Sequence, residues 1–268
     1  MIDDAGAATG PRDAGDLDQL DRVLEDAGAG RSTRRRMLEG AAAGLAAAGV
    51  LGLPSAAAAS GDGADHTALR RISSALATSE SLAVTFLTEA IARAPGTPSA
   101  QFTEVLRAAI TAEFDHLTAL EEHLDGKPLT LRFWIPDAAF GAGGAGLFAS
   151  IEAVENIEIS GYLAGVSTFA RATRARQARI MAEALGVESE HRVLARSARS
   201  ALGQAVGVPD DRSFALYDLR TPGAVVRALE ALGVGLGRQG AQPGRFYDFP
   251  GDPVAAGVGL AISSRVPQ

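Results

Sequence analysis

The segment TAEFDHLTALEEH, residues 111–123, decides how the fold is read. As a helix it continues an apolar stripe of Phe102, Leu106, Ala109 and Ile110 through Leu117, Leu120 and Leu124, in steps of three and four. Glu113 and His116 fall in that same stripe. A carboxylate on the buried side of a helix is costly unless it is neutralised, paired or bound to a metal. What meets the charge of Glu113 must come from elsewhere in the chain.

The chain has 268 residues, enough for one large or two small domains. Helix formers dominate residues 66–204 and strand-type alternation is scarce, so a helical protein is expected. A formal net charge of −7 argues against a nucleic-acid partner. With no Cys, disulfides, thiol-attached haem and thiolate metal sites are excluded.

Residues 1–30 set eight acidic groups against Arg12 and Arg22 and read as a disordered acidic leader. Residues 31–59 run from a basic cluster through an Ala/Gly/Leu stretch to Pro54 and small residues, the pattern of a bacterial export signal. Ala56 and Ala58 supply an A-x-A cleavage pattern. Gly40–Leu53 falls short of the roughly 20 apolar residues of a spanning helix. Thr33-Arg34-Arg35-Arg36-Met37-Leu38 resembles the twin-arginine pattern, with Glu39 departing where Lys is common. That resemblance implies the twin-arginine export machinery as a partner and a destination across the cytoplasmic membrane, secreted or in the cell envelope. It also implies folding, often with a cofactor already loaded, before export.

Four helices are expected over residues 66–206. Helix one, about 67–93, turns Ile72, Leu76, Ala83, Phe86, Leu87 and Ala90 inward with Glu80 among them. APGTPS, residues 94–99, breaks it, and helix two runs from an N-cap at Ser99 to Leu124. Residues 125–146 are rich in Gly and Pro and read as a linker. Helix three, about 147–172, buries Phe148, Ile151, Val154, Ile159, Tyr162, Val166 and Phe169, with Glu155 and Glu158 near that face. Helix four, about 173–206, opens on Thr173 as N-cap and turns Ile180, Ala184, Val187, Leu194 and Leu202 inward with Glu188 and His191.

Each half thus pairs a helix carrying a core Glu with one carrying Glu-x-x-His. Glu80 and Glu113 are 33 residues apart, as are Glu155 and Glu188. The midpoints fall at Gly96/Thr97 and Arg171/Ala172, where the hairpins turn. Both hairpins then hold these groups at one level, roughly 24 Å from the turn at about 1.5 Å per residue. The linker of about 22 residues reaches roughly 70 Å when extended, enough to run the length of a bundle.

Glu80, Glu113-Phe-Asp-His116, Glu155 and Glu188-Ser-Glu-His191 resemble the ligand set of ferritin-like di-iron carboxylate proteins, over residues 66 to about 204. AVENIEISGY, residues 153–162, and GVESEHRVLARSA, residues 186–198, are similar to exported ferritin-like domain proteins of bacteria. The resemblance implies an all-α, ferritin-like four-helix bundle with one long crossover between helices two and three. It implies two iron ions, or manganese, held by Glu80, Glu113, His116, Glu155, Glu188 and His191. Glu113 and Glu188 would bridge the ions and Glu80 and Glu155 would be terminal ligands. Oxidation of Fe(II) by O2 or peroxide is the activity it suggests. Manganese catalase-like peroxide removal and a non-catalytic envelope or stress scaffold are the alternatives, and assembly into a homo-oligomer stays open.

Glu158, one turn beyond Glu155, either replaces or supplements it or lies exposed at the stripe edge. Tyr162 either serves the core or donates a hydrogen bond or an electron near the site. His66, His123, Glu121 and Glu122 read as solvated. In residues 207–268 a short helix opens at Thr221-Pro222, with Val225, Val226, Leu229, Leu232 and Leu236 on its apolar face. The Gly/Pro-rich stretch 237–253 reads as irregular, docked by Phe246, Tyr247 and Phe249.

Overall fold

Every residue from Ile72 to Leu87 except Ser74 is buried, which requires a helix covered on all sides by other elements. This is α1 (Asp62–Arg93) of a computed structural model that describes residues 62–207 and 213–262. The acidic leader and the export signal lie outside the described residues. α1 packs along α2 (Thr103–Leu124), and α3 (Ala145–Arg171) packs along α4 (Ala175–Ala201). Contacts of α1 with α3 and of α2 with α4 join the two pairs into a mostly helical bundle. Among the described residues, no helix is long and apolar enough to cross a membrane.

Close approach of the helices is set by small residues. A Cβ on Gly161 of α3 would lie 2.9 Å from Leu76 Cδ2, and one on Gly165 would lie 2.8 Å from Met181 Sδ. The core face of α4 is narrow and runs through Ala184, Glu188, His191, Ala195 and Ala198. Leu194, expected inward, is instead 45% exposed, because the three- and four-residue steps of that stripe pass it by.

The helix starts differ from those expected. Ser99 does not cap α2; it is buried in a 3₁₀ turn (Pro98–Phe102), its hydroxyl 2.9 Å from that of Thr97. Thr173 does not cap α4 either. It sits at φ 57°, in the left-handed region, and makes the reversal between α3 and α4. A tight turn between antiparallel helices needs such a residue, and this chain supplies no Gly there. Thr221 does cap α5 (Pro222–Ala231), accepting a hydrogen bond from the Ala224 N–H at 3.2 Å. Val225 and Leu229 of α5 are fully buried against α1 and α3.

A small sheet departs from the all-α expectation. β1 (Arg132–Pro136) lies between β2 (Gly235–Leu236) and β3 (Gly244–Asp248), antiparallel to both. In register, Phe133 stands opposite both Leu236 and Tyr247. Phe133 and Ile135 alternate into the core while Arg132 is exposed, the period of two that a half-buried strand requires. Leu236, expected on the face of α5, therefore belongs to β2. Trp134 meets Phe246 edge-on at 5.2 Å between ring centroids, and Phe249 stacks over Phe114 at 6.5 Å. Arg93, at the end of α1, donates to the Tyr247 hydroxyl and lies 3.8 Å from the centroid of the Phe140 ring. The last part of the chain is thereby fastened to the passage between α2 and α3.

Deleting the Phe133 ring should cost about 3–5 kcal/mol of stability, as truncation of a fully buried Phe does. Leu129→Ala, four residues away and 62% exposed, should change stability by no more than about 0.5 kcal/mol. Urea unfolding of the two variants compares them directly, and a tail that merely drapes over the bundle would make the two losses alike.

Candidate metal centre

α1 turns Glu80 inward, α3 brings Glu155 to the same level, and α2 and α4 each turn inward a Glu and the His one turn later. Glu80, Glu113 and Glu188 have no exposed surface, Glu155 and His191 are buried, and His116 keeps a little exposure. All six come together in one layer. One donor atom each from Glu80, Glu113, His116 and Glu188 lies within 4.8 Å of the others, and the same holds for Glu113, Glu155, Glu188 and His191. The two groups share Glu113 and Glu188.

The approaches are reciprocal between the hairpins. His116 Nδ1 of α2 is 2.6 Å from Glu188 Oε1 of α4, while His191 Nδ1 of α4 is 2.9 Å from Glu113 Oε1 of α2. His116 Nδ1 is also 3.8 Å from both Glu80 and Glu113, and His191 Nδ1 is 4.0 Å from Glu155. Close as they are, the two short approaches lack the alignment of a hydrogen bond. Glu80 Oε2, both oxygens of Glu113, Glu155 Oε2, Glu188 Oε1 and His116 Nδ1 are buried with no hydrogen-bond partner. Buried polar atoms are rarely left so in folded proteins. Carboxylate oxygens and imidazole nitrogens turned toward common points fit a metal ion, and this group can hold one.

Electrostatics give the same picture of unmet charge. Burial, and then the neighbouring carboxylates, push the Glu80, Glu155 and Glu158 carboxyls well above their ordinary range. Burial would raise Glu113 too, but the facing imidazoles of His191 and His116 outweigh it and hold Glu113 low. His116, which burial alone would lower, is lifted to about 10 by Glu188 and Glu113. His191 is raised against its burial by Glu113 and Glu188.

Around the six stand groups that spacing alone treated loosely. Glu158 is not at an exposed stripe edge; it is fully buried, because α3 is covered on that side by α1. Its Oε1 accepts a hydrogen bond from Ser79 Oγ at 2.7 Å, and its Oε2 has no hydrogen-bond partner. Glu158 belongs to neither four-donor group. The Tyr162 hydroxyl donates to Glu80 Oε1, and its ring meets the His116 ring edge-on. Ser79 was missed, and its only signal was adjacency to Glu80 in a helix that is buried all round. Glu152, a turn before Glu155, shows the ordinary solution for a buried acid: Arg196 at 2.6 Å and Arg199 pair with it. His66 is exposed and His123 half-buried, and neither joins the groups.

The metal-free fold holds protons on Glu80, Glu155, Glu158 and both imidazoles that an unfolded chain gives up at lower pH. The His116 contribution to stability is complete below pH 6.5 and is lost as pH rises through about 10. Glu113 acts oppositely: its contribution is present above pH 4.5 and disappears on acidification. A bound cation must displace the held protons, so cobalt(II) uptake should release protons and tighten between about pH 6 and about pH 8. Titration in weak buffer with a pH indicator measures both, and uptake without proton release would contradict this protonation pattern. No protein-family model, curated protein or solved structure matches the chain.

Proposed function

We propose that the chain is an exported, ferritin-like dinuclear metal protein whose two iron ions carry out redox chemistry such as oxidation of Fe(II) by O2 or peroxide. The observation that carries the proposal is the pair of four-donor groups sharing Glu113 and Glu188. Two shared carboxylates, completed by Glu80 and His116 on one side and by Glu155 and His191 on the other, are what two adjacent cations require. Connectivity supports the same reading: a hairpin of α1 and α2, a long passage over residues 125–144, and a hairpin of α3 and α4 fit the one-crossover four-helix bundle.

In this reading Glu113 and Glu188, common to both groups, would serve both ions, while Glu80 with His116 and Glu155 with His191 would each complete one set. Tyr162 fixes the orientation of Glu80 through its hydroxyl. Ser79 donates to Glu158, whose carboxyl burial and the neighbouring acids hold protonated to higher pH than an exposed one. Iron, when bound, supplies the one-electron steps that no side chain here can. Manganese suits the same oxygen and nitrogen donors and would point to peroxide removal instead. A scaffold without catalysis is the second reading, favoured by the reciprocal His–Glu approaches, through which the layer partly neutralises itself without an ion. Export rests on residues 31–59, including Arg34 and Arg35.

Elemental analysis of the purified chain, then anaerobic Fe(II) titration and exposure to air, tests the proposal. About two irons per chain are expected, with an absorbance change on oxidation that Glu113→Ala removes, since Glu113 serves both groups. Saturating metal at about 100 times Kd should stabilise the wild type by about 2.7 kcal/mol and leave Glu113→Ala nearly unaffected. About two manganese ions would move the chemistry to peroxide, and absence of any metal response would hand the site to the scaffold reading.

A further inference from the structure

A cavity of about 300 Å³ opens beside the centre, walled by residues of α1, α2, α3 and α4. Leu87, Leu106, Phe148 and Ile151 are among its buried walls. It also reaches Glu155 and His191, two members of one four-donor group. Among the described residues, Ser197 is the only other polar side chain that borders it, and no Lys or Arg does. Val105 and Leu194, which also line it, are 40% and 45% exposed. The outward turn of Leu194 is thus part of an apolar opening rather than an isolated exposure.

We propose that this cleft takes up a small uncharged apolar molecule and holds it against Glu155 and His191. Its volume stands at the lower end of small-molecule sites, roughly 300–1,000 Å³, and its lining has their character of apolar walls with a few convergent polar groups. An anionic head group finds no Lys or Arg among the described lining residues, and the His191 imidazole is already taken up by Glu113 and Glu188. A cationic one would shed its hydration among alkyl and aryl walls, with Glu155 committed to the centre. An alkyl or aryl compound without charge matches the lining throughout. That the occupant is presented to bound metal rests on the reading under Proposed function; the capacity of the cleft to bind it does not.

The structure contains its own control. A second apolar cleft of about 280 Å³, bordered by Ala83, Ala149 and Ala153, lies between α1, α3 and the sheet and reaches none of the six ligand-type residues. The neutral fluorophore N-phenyl-1-naphthylamine, titrated into the full chain, serves as the probe. Saturable binding at one site is expected, displaced by 1-octanol and not by octanoate or octylammonium at the same concentration. Ala109→Phe, which fills the cleft, and Leu194→Asp, which charges its exposed rim, should each weaken binding about tenfold or more, while Ala153→Phe leaves it unchanged. On the cobalt(II)-loaded protein, 1-octanol should alter the visible absorption of the metal, and Ala109→Phe should abolish that change.

Probe binding that ignores Ala109→Phe and Leu194→Asp, or that follows Ala153→Phe instead, would overturn the proposal. So would the absence of saturable binding. Probe binding with the expected sensitivities in a protein that takes up no cobalt keeps the cleft and sinks the metal reading. Cobalt uptake with no probe binding keeps the metal reading and sinks the cleft.

Discussion

Placing carboxylates and imidazoles from four helices in one buried layer is the constraint around which this bundle is built. The apolar core divides on either side of it. One cluster includes Leu87, Leu106, Ile110, Phe148 and Ala195; the other includes Ile72, Leu117, Leu120, Tyr162 and Met181. On α2 Glu113 stands between Ile110 of one cluster and Leu117 of the other, and on α4 Glu188 stands between Ala184 and Ala195 in the same way. An isolated ionised group there would be pushed to neutrality or would pull water inward. The layer is tolerable because acids and imidazoles alternate across the hairpins, and it becomes favourable when a cation is added. Apolar burial on both sides keeps the donors from moving apart to seek solvent, which is the preorganisation that a metal site needs.

Glu152 and Glu155 show how differently one helix can treat two acids. Glu152 has two arginines and asks for nothing more. Glu155, three residues later, faces a neighbouring imidazole and other acids, with one oxygen unpartnered. A stability role is sufficient for the first and insufficient for the second. Ser79, Glu158 and Tyr162 extend the contrast, since each sets a buried polar group beside the layer. Such supporting contacts orient the donors themselves.

The helices and the layer were legible in the sequence because both depend on spacing. Two equal intervals between acids, each bisected by a turn, leave few ways for antiparallel helices to arrange them. Glu158 was not legible, since its burial depends on which helix covers α3 and no local pattern states that. Leu194 misled because hydrophobicity alone cannot distinguish a core position from the rim of an opening. Thr173 looked like an N-cap by residue type, but the reversal needed a left-handed residue and took it. β1 was hidden because a five-residue strand in a Gly/Pro-rich passage becomes readable only with its partners, and these lie about a hundred residues further on.

That separation has a consequence in time. The central strand of the sheet emerges from the ribosome well before either neighbour, since β2 and β3 belong to the last part of the chain. Until they arrive, Phe133 and Ile135 have no sheet to enter, and the passage is held by its contacts with α1, such as Leu129 N–H on Thr78 and Phe140 on Phe86. Each hairpin is local and can form early, whereas fixing the passage requires contacts of long sequence separation, which form slowly. Completion of this fold is therefore timed by its C-terminal residues, and the nascent chain carries four helices whose mutual placement is not yet locked. In that interval the donors of the layer are still free to adjust, and afterwards the cleft beside Glu155 and His191 is an opening that still reaches them.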